Sequence, residues 1–416
     1  MAPLPPSSAA PRDRVAHDVL IVGGGLVGAS LAIALDRLGL DVALVDAAPA
    51  GAIPAVFDER NLSFAEATVN ALEALGVLAR LRAPAGSIER IHVTRRGDFG
   101  RMLLRAADHG RREFGRVVVA RDFGEALESR LSELRGLTRY RPARFLGLVD
   151  DSAGDRRGVR IDAGDGERVI DTRLLVGADG ARSAVRDALG IGADEHDYAQ
   201  TLFVARLRAE RAPDGTAYER FGDDGPTALL PRGDRHFGLI HAVAAGEADV
   251  VAAMDEAAFL ARIQDAFGWR VGRLLACGPR SAYPVSRIVA QRTTAPRAVL
   301  VGNAAQTIHP IGAQGFNLGL RDALTLVEQI GDAVADPGSG ALLRGYDTRR
   351  SDDRAQTLAF SDGLARLTAN DAQWLRPVRS AGLFAADRLP SVQARLVAGA
   401  MGYRGDVPAL CRGTTA

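Results

Sequence analysis

A short apolar stretch, Asp18 to Val22, runs directly into Gly23-Gly24-Gly25-Leu26-Val27-Gly28, and an apolar helical stretch follows up to Gly39. Few sequence features constrain a fold so tightly. Glycines in the pattern Gly-x-Gly-x-x-Gly between a strand and a helix have three separate jobs. Gly23 permits the tight turn, Gly25 lets the backbone approach a pyrophosphate, and Gly28 lets helix and strand pack closely. The helix N-terminus then offers unpaired N–H groups and a positive dipole end to an anion. Val42 to Asp46 reads as the next strand. Asp46 ends it about 20 residues further on, where a carboxylate accepts ribose hydroxyl bonds. This is one βαβ unit, the start of a Rossmann-like domain. The spacing alone fits a flavin or a nicotinamide dinucleotide equally.

Composition narrows the class. The 416 residues are 47% hydrophobic and 25% charged, as in an ordinary globular protein large enough for two joined domains. A formal net charge of +1 leaves no electrostatic footprint for nucleic acid. All 52 strongly basic residues are arginine, which removes Schiff-base and P-loop lysine chemistry. Cys277 and Cys411 are too few and too distant for a disulfide scaffold or a metal site, and read as reduced thiols in the cytosol. No apolar run reaches the roughly 18 residues of a membrane span. Residues 1–17, rich in Pro, Ala and Ser, read as a disordered tail.

Further along, Phe64 to Leu78 has helical periodicity, Val117 to Ala120 reads as a strand, and Arg121 to Leu134 as a helix. Phe145 to Ile170 reads as a meander and Arg173 to Gly177 as a buried strand. Thr201 to His241 alternates between turn signals, the pattern of a mostly antiparallel sheet. Ala282 to Ile288 and Ala298 to Val301 read as strands returning to the first domain. The chain beyond Leu342 is mostly helical, interrupted by Pro377 and Pro390. The expected fold is therefore α/β: a discontinuous nucleotide domain (18–80, 105–190, 285–345), an inserted, mostly antiparallel β-sheet substrate domain (81–104, 191–284) and a helical C-terminal region (346–416).

Two more glycine-rich segments follow buried strands. In Val176-Gly177-Ala178-Asp179-Gly180-Ala181-Arg182-Ser183, Asp179 reads on its own as a turn or N-cap residue. The third segment is Val301-Gly302-Asn303-Ala304-Ala305-Gln306-Thr307-Ile308-His309-Pro310, continuing through Gly312-Ala313-Gln314-Gly315-Phe316-Asn317 into a helix. His309 reads as a packed histidine or a proton carrier. Trp269 and Tyr283 read as packed aromatics.

The order and spacing of these three segments resemble the FAD-dependent aromatic hydroxylases, single-component flavin monooxygenases. The Gly-Asn-Ala-Ala-Gln-Thr variant, Phe267-Gly268-Trp269-Arg270 and Arg280-Ser281-Ala282-Tyr283-Pro284 are most similar to the ubiquinone-biosynthesis branch, the polyprenyl-methoxyphenol hydroxylases. The resemblance spans about Asp18 to Arg354. It implies non-covalent FAD, NADPH or NADH as co-substrate, O2, and a flavin C4a-hydroperoxide that hydroxylates a prenylated phenol. It implies cofactor contacts at Gly23, Gly25, Gly28, Asp46, Arg60, Arg121, Asp179, Gly180, Gly302, Asn303, Pro310, Gln314, Gly315, Phe316 and Asn317. It assigns no catalytic acid or base and no metal. Asn303 stands where the family has Asp, and Ala313 where Gly often precedes the Gln; a positive φ there would strain alanine. The implied setting is cytoplasmic, with peripheral membrane or sister-enzyme association. Alternatives are a tailoring hydroxylase of a polyketide or other small aromatic, a non-catalytic flavin-binding scaffold, and an NAD-dependent dehydrogenase.

Overall fold

The structure is a computed structural model that describes residues 14–49, 60–149, 154–333, 336–368 and 376–413. Its helices are α1 (Leu26–Leu35), α2 (Glu66–Ala74), α3 (Ala120–Leu131), α4 (Ala184–Ala188), α5 (Ala248–Ala253), α6 (Glu256–Phe267), α7 (Gln314–Ala333), α8 (Gly340–Thr368), α9 (Arg376–Arg388) and α10 (Pro390–Ala400).

The strand Arg14–Val22 lies at the middle of an eight-stranded sheet. It pairs in parallel with Val42–Val45 on one side and Glu167–Gly177 on the other. Ala298–Leu300 adds to Glu167–Gly177, and Leu137–Tyr140 to Val42–Val45, both in parallel. Val19 to Val22, Val42 to Val45 and Leu174 to Gly177 are buried because both faces are covered there. Leu31, Leu35, Phe123, Leu127, Leu320 and Leu324 of α1, α3 and α7 pack one face. The antiparallel flap Arg144–Val149 and Arg157–Asp162, with Val185 of α4, packs the other.

A second sheet of nine strands stands beside it. Ala193–Ala209 is paired antiparallel with Phe237–Ala244 and Ser281–Ala290. Pro226–Pro231, Thr216–Phe221, Arg90–Arg95 and Arg101–Arg105 continue the order outward. Thr216–Phe221 and Arg90–Arg95 run parallel; the other neighbours are antiparallel. Odd residues of the long strand (Phe203, Ala205, Leu207) pack on Phe259, Ile263 and Phe267 of α6. Even residues (Gln200, Leu202, Val204) point to the opposite face, where Gln200 meets His309, as the period of two requires.

Several local expectations need correction. Residues 14–17, read as tail, are strand: His17 is buried and bonds Asp41 (2.9 Å) and Tyr140 (3.1 Å), while residues 1–13 lie outside the described set. Phe64 ends a strand, Asn61–Ala65, rather than opening a helix, because that segment pairs antiparallel with Gly115–Val119. Ser281–Ala290 stays in the nine-stranded sheet instead of returning to the first. Trp269 is 67% exposed. Pro377 sits in the first turn of α9 and Pro390 opens α10, positions where a missing N–H costs nothing.

Candidate flavin and substrate site

The three glycine segments converge at the carboxyl ends of the central strands. A Cβ on Gly23, whose φ is +112°, would fall 2.4 Å from the Ala178 carbonyl oxygen. A Cβ on Gly28 would strike the Gly23 carbonyl, and one on Gly302 would lie 3.0 Å from Val27. The main chains are stitched as well. Ala178 N–H donates to the Val22 carbonyl (2.8 Å) and Val301 N–H to the Gly177 carbonyl (3.0 Å). These glycines are therefore required by protein–protein approach alone.

Gly25, Gly180 and Gly315 are different. A Cβ on any of them would meet no protein atom within 4 Å. Gly25 is the N-cap of α1, and that helix end has neither a side-chain cap nor an acidic residue in its first turn. Its N–H groups thus remain for an anion. Asp46 lies over Gly24: a Cβ there would be 2.5 Å from its carboxylate. One Asp46 oxygen accepts from the Ala48 N–H (3.1 Å), and Arg141 stands 3.5 Å from the other. The residues present fit FAD: open backbone for the pyrophosphate, a carboxylate beside it for ribose, and a second helix N-terminus at α7.

Asp179 is engaged with the protein. It accepts from Ser183 Oγ (2.5 Å) and the Val185 N–H (3.1 Å), so its side chain serves the start of α4. Burial pushes its carboxyl above the usual range, against those hydrogen bonds. Gly180, at φ +91°, carries the turn.

The loop from Gly302 to Asn317 is held from below. Asp322 on α7 accepts from the Gly302 N–H (3.3 Å), from Gln306 Nε2 (2.6 Å) and from Arg350 Nε (2.8 Å). Asp353 on α8 takes Arg321 through both Nε (2.7 Å) and Nη2 (3.1 Å), with Arg350 2.8 Å away. Arg321 donates onward to the Asn317 carbonyl (3.3 Å). All four charges are at most 2% exposed. Burial opposes charge on Asp353, yet Arg321 and Arg350 hold its carboxyl below the usual range.

Asn317 is likewise spent on protein. Its Oδ1 accepts from the Ala65 N–H (2.9 Å), and its Nδ2 donates to the carbonyls of Ser63 (3.0 Å) and Ala313 (2.7 Å). It clips α7 to the Asn61–Ala65 strand. Gln314 donates to the Gly312 carbonyl at 3.1 Å. Gly312 and Ala313 have φ of +70° and +52°. Alanine there carries strain of roughly 1 kcal/mol, which the Asn317 bond to its carbonyl helps to hold. Phe316 packs on Phe64 and Phe123, with centroids 5.3 Å away in both cases. Asn303 is exposed in a 3-10 turn, and Pro310 is exposed at the loop's outer side.

His309 joins the two sheets. Its Nδ1 accepts from the Ile311 N–H (3.1 Å), so the proton sits on Nε2, which donates to Gln200 Oε1 (3.0 Å). Gln200 in turn donates to the Asp224 carbonyl (2.9 Å). Burial lowers the His309 pKa to about 4. It is a neutral, fully bonded strut. Sequence reading did not reach Gln200 or Tyr198, whose ring meets His309 edge-on at 4.8 Å. Strand alternation through Ala193–Ala209 was the signal that could have placed them.

Arg60 and Arg121 come to one edge. Ala120 N–H donates to the Arg60 carbonyl (2.8 Å), and the Arg60 guanidinium lies 4.9 Å from the Tyr283 ring centroid. Arg121 is exposed in the first turn of α3. Phe57, Asp58 and Glu59 lie outside the described residues. No metal-binding group of His, Cys, Asp or Glu occurs among the described residues.

A two-sheet molecule with a glycine cradle at the strand ends and an unblocked helix N-terminus is built to hold a dinucleotide. The chain belongs to the FAD binding domain family, whose model matches residues 16–361. It is 35% identical over 406 residues to ubiquinone hydroxylase UbiL of Rhodospirillum rubrum, covering 96% of this chain and 93% of that one. It is 30% identical over 396 residues to 3-demethoxyubiquinol 3-hydroxylase of Escherichia coli, covering 92% and 98%. Among solved structures, p-nitrophenol 4-monooxygenase PnpA of Pseudomonas putida DLL-E4 shares the fold with a TM-score of 0.76 at 17% identity, covering 94% and 99%.

Proposed function

We propose that this protein hydroxylates a polyprenylated phenol in ubiquinone biosynthesis, using NAD(P)H and O2. The observation that carries the reading is the end-to-end similarity to named ubiquinone hydroxylases. When bound, FAD supplies hydride acceptance from NAD(P)H and the activation of O2. The chain's own work is positional. Gly25 and the α1 N-terminus take the pyrophosphate, and Asp46 takes the ribose. Asn303, Gly302 and the α7 N-terminus, through Gly315, align the ring end and favour negative charge there. Arg60, Arg121 and Pro310 border it. The even-numbered face of the long strand, with Leu202, Ala242, Ile240 and Val285, supports an apolar ring and keeps water out.

No helix of the structure is long and apolar enough to cross a membrane. Access to a prenyl substrate is instead given to α9, α10 and the Leu389 between them, which expose Val378, Phe384, Leu389 and Val392, with Arg388 over the Phe384 ring and Arg376 and Arg395 also exposed. That surface suits peripheral contact with an anionic bilayer from the cytoplasm.

The test is a reaction of FAD-loaded protein with NADH or NADPH, O2 and a short-chain 2-prenylphenol. The expected result is substrate-dependent NAD(P)H oxidation and a product one oxygen atom heavier. FAD-loaded protein that oxidises neither nucleotide in the presence of any prenylphenol would leave only the scaffold reading.

A further inference from the structure

One side chain on the inward face of the nine-stranded sheet breaks its pattern. Cross-strand register sets Glu219 in a row with Met102 and Val93 on one side. Ala228, Ile240, Val204 and Ser281 continue the row on the other. Its flanking same-face neighbours on its own strand are Ala217 and Phe221, both buried. Tyr218, one residue earlier, points to the other face and packs against Phe267 of α6. Glu219 thus shares the face that carries Gln200, Leu202 and Tyr283. Asp194, the other acid in this register, is exposed at the far end of the long strand, whereas Glu219 sits among apolar neighbours.

The cover over this face comes from Ile311 of the flavin-side loop, Ala365 of α8, Leu383 of α9 and Val397 of α10. Glu219 remains partly accessible beneath that cover. A carboxyl ringed by apolar side chains yet still partly exposed is available to a ligand at this face. The charged groups on adjoining elements are engaged with one another. Arg95 pairs with Asp98 and Asp223, and Arg379 with Asp98. Asp387 accepts from the Leu103 N–H, and Asp362 binds Tyr198 and Arg366. None of them balances Glu219, and burial alone raises its carboxyl to about 7. An unbalanced buried acid costs stability, so its retention calls for a ligand that repays it.

We propose that Glu219 receives the hydroxyl of the phenol substrate, fixing which way the ring lies against this face. This rests on the reading that the substrate is a phenol. Ionised, the carboxylate accepts the phenol O–H in a charge-assisted hydrogen bond. Protonated, it donates to the phenol oxygen in a weaker neutral one. A methyl ether of the same phenol has no proton to give and gains only the second contact.

The test uses FAD-loaded protein and equilibrium dialysis of 2-prenylphenol and its methyl ether. Measurements are made at about pH 5.5 and about pH 8.5, well to either side of the raised carboxyl. In the wild type the preference for phenol over ether should rise about tenfold between the two, the worth of one charge-assisted bond. In Glu219→Gln, which keeps size and polarity, that preference should be flat at unchanged FAD content. Infrared difference spectra of the wild type supply a measurement that needs no variant. A protonated-carboxyl band should fade near pH 7 and respond to the phenol but not to the ether. An equal pH-dependent rise in Glu219→Gln, or a carboxyl band indifferent to the phenol, overturns the proposal while leaving the proposed hydroxylase intact. Wild-type protein that binds neither compound overturns the phenol reading itself.

Discussion

The two loops that face the flavin space are supported in opposite ways. The Gly23–Gly28 turn rests on main-chain approach: its glycines touch Ala178 and each other, and no side chain caps the helix behind it. The Gly302–Asn317 loop rests on side chains: Asp322, Arg350, Asp353, Arg321 and Asn317 all bond into it or beneath it. The first arrangement keeps donors free for a ligand and tolerates no Cβ at Gly23 or Gly28. The second gives up donors to fix a strained backbone. The first loop is thus left open to a ligand, and the second is held rigid.

Substitutions can break that contrast. Gly25→Val should have the largest effect, abolishing FAD binding in a titration. The apoprotein should melt as before, because a side chain there meets no protein atom. A matching loss of fold would show that the first loop too is a structural element. Asp353→Ala removes the acceptor of a buried arginine pair and should destabilise the protein by about 3–5 kcal/mol in a urea titration. Asn317→Ala removes three hydrogen bonds to backbone, one buried and two part-buried, and should cost about 2–3 kcal/mol. With Ala313 released, more peroxide should appear per NAD(P)H consumed; unchanged coupling would confine Asn317 to stability. Asp46→Ala should weaken FAD by about 1–3 kcal/mol with little change in melting. Asn303→Asp should have the smallest effect. Its exposed side chain allows FAD to stay bound, and the added negative charge should lower the flavin reduction potential slightly; a raised potential would contradict this placement.

The contrast also explains what could be read from the chain. Gly23, Gly25, Gly28 and Asp46 lie within one βαβ unit, so their spacing reports their geometry. The supports of the second loop are scattered over two helices, where Arg321, Arg350 and Asp353 look like ordinary solvated charges. Only tertiary packing buries them. Asp179 was legible as important but ambiguous in role, and its bonds to Ser183 and Val185 commit its side chain to the turn. Residues 14–17 were missed because a polar strand start paired with Val169 to Thr172 has no local signature. Glu219 carries no motif; its meaning comes from register across seven strands.

The central strand has a consequence for synthesis. Arg14–Val22 emerges from the ribosome early, but its parallel partner Glu167–Gly177 follows roughly 150 residues later and Ala298–Leu300 later still. At translation rates of about 5–20 residues per second, one edge of that apolar strand waits on the order of ten seconds or more for its neighbour. A later segment joins too: the carbonyl of buried Cys411 accepts from Asn70 Nδ2 of α2. Until Glu167–Gly177 is made, the open edge of the central strand is a place where another chain can pair.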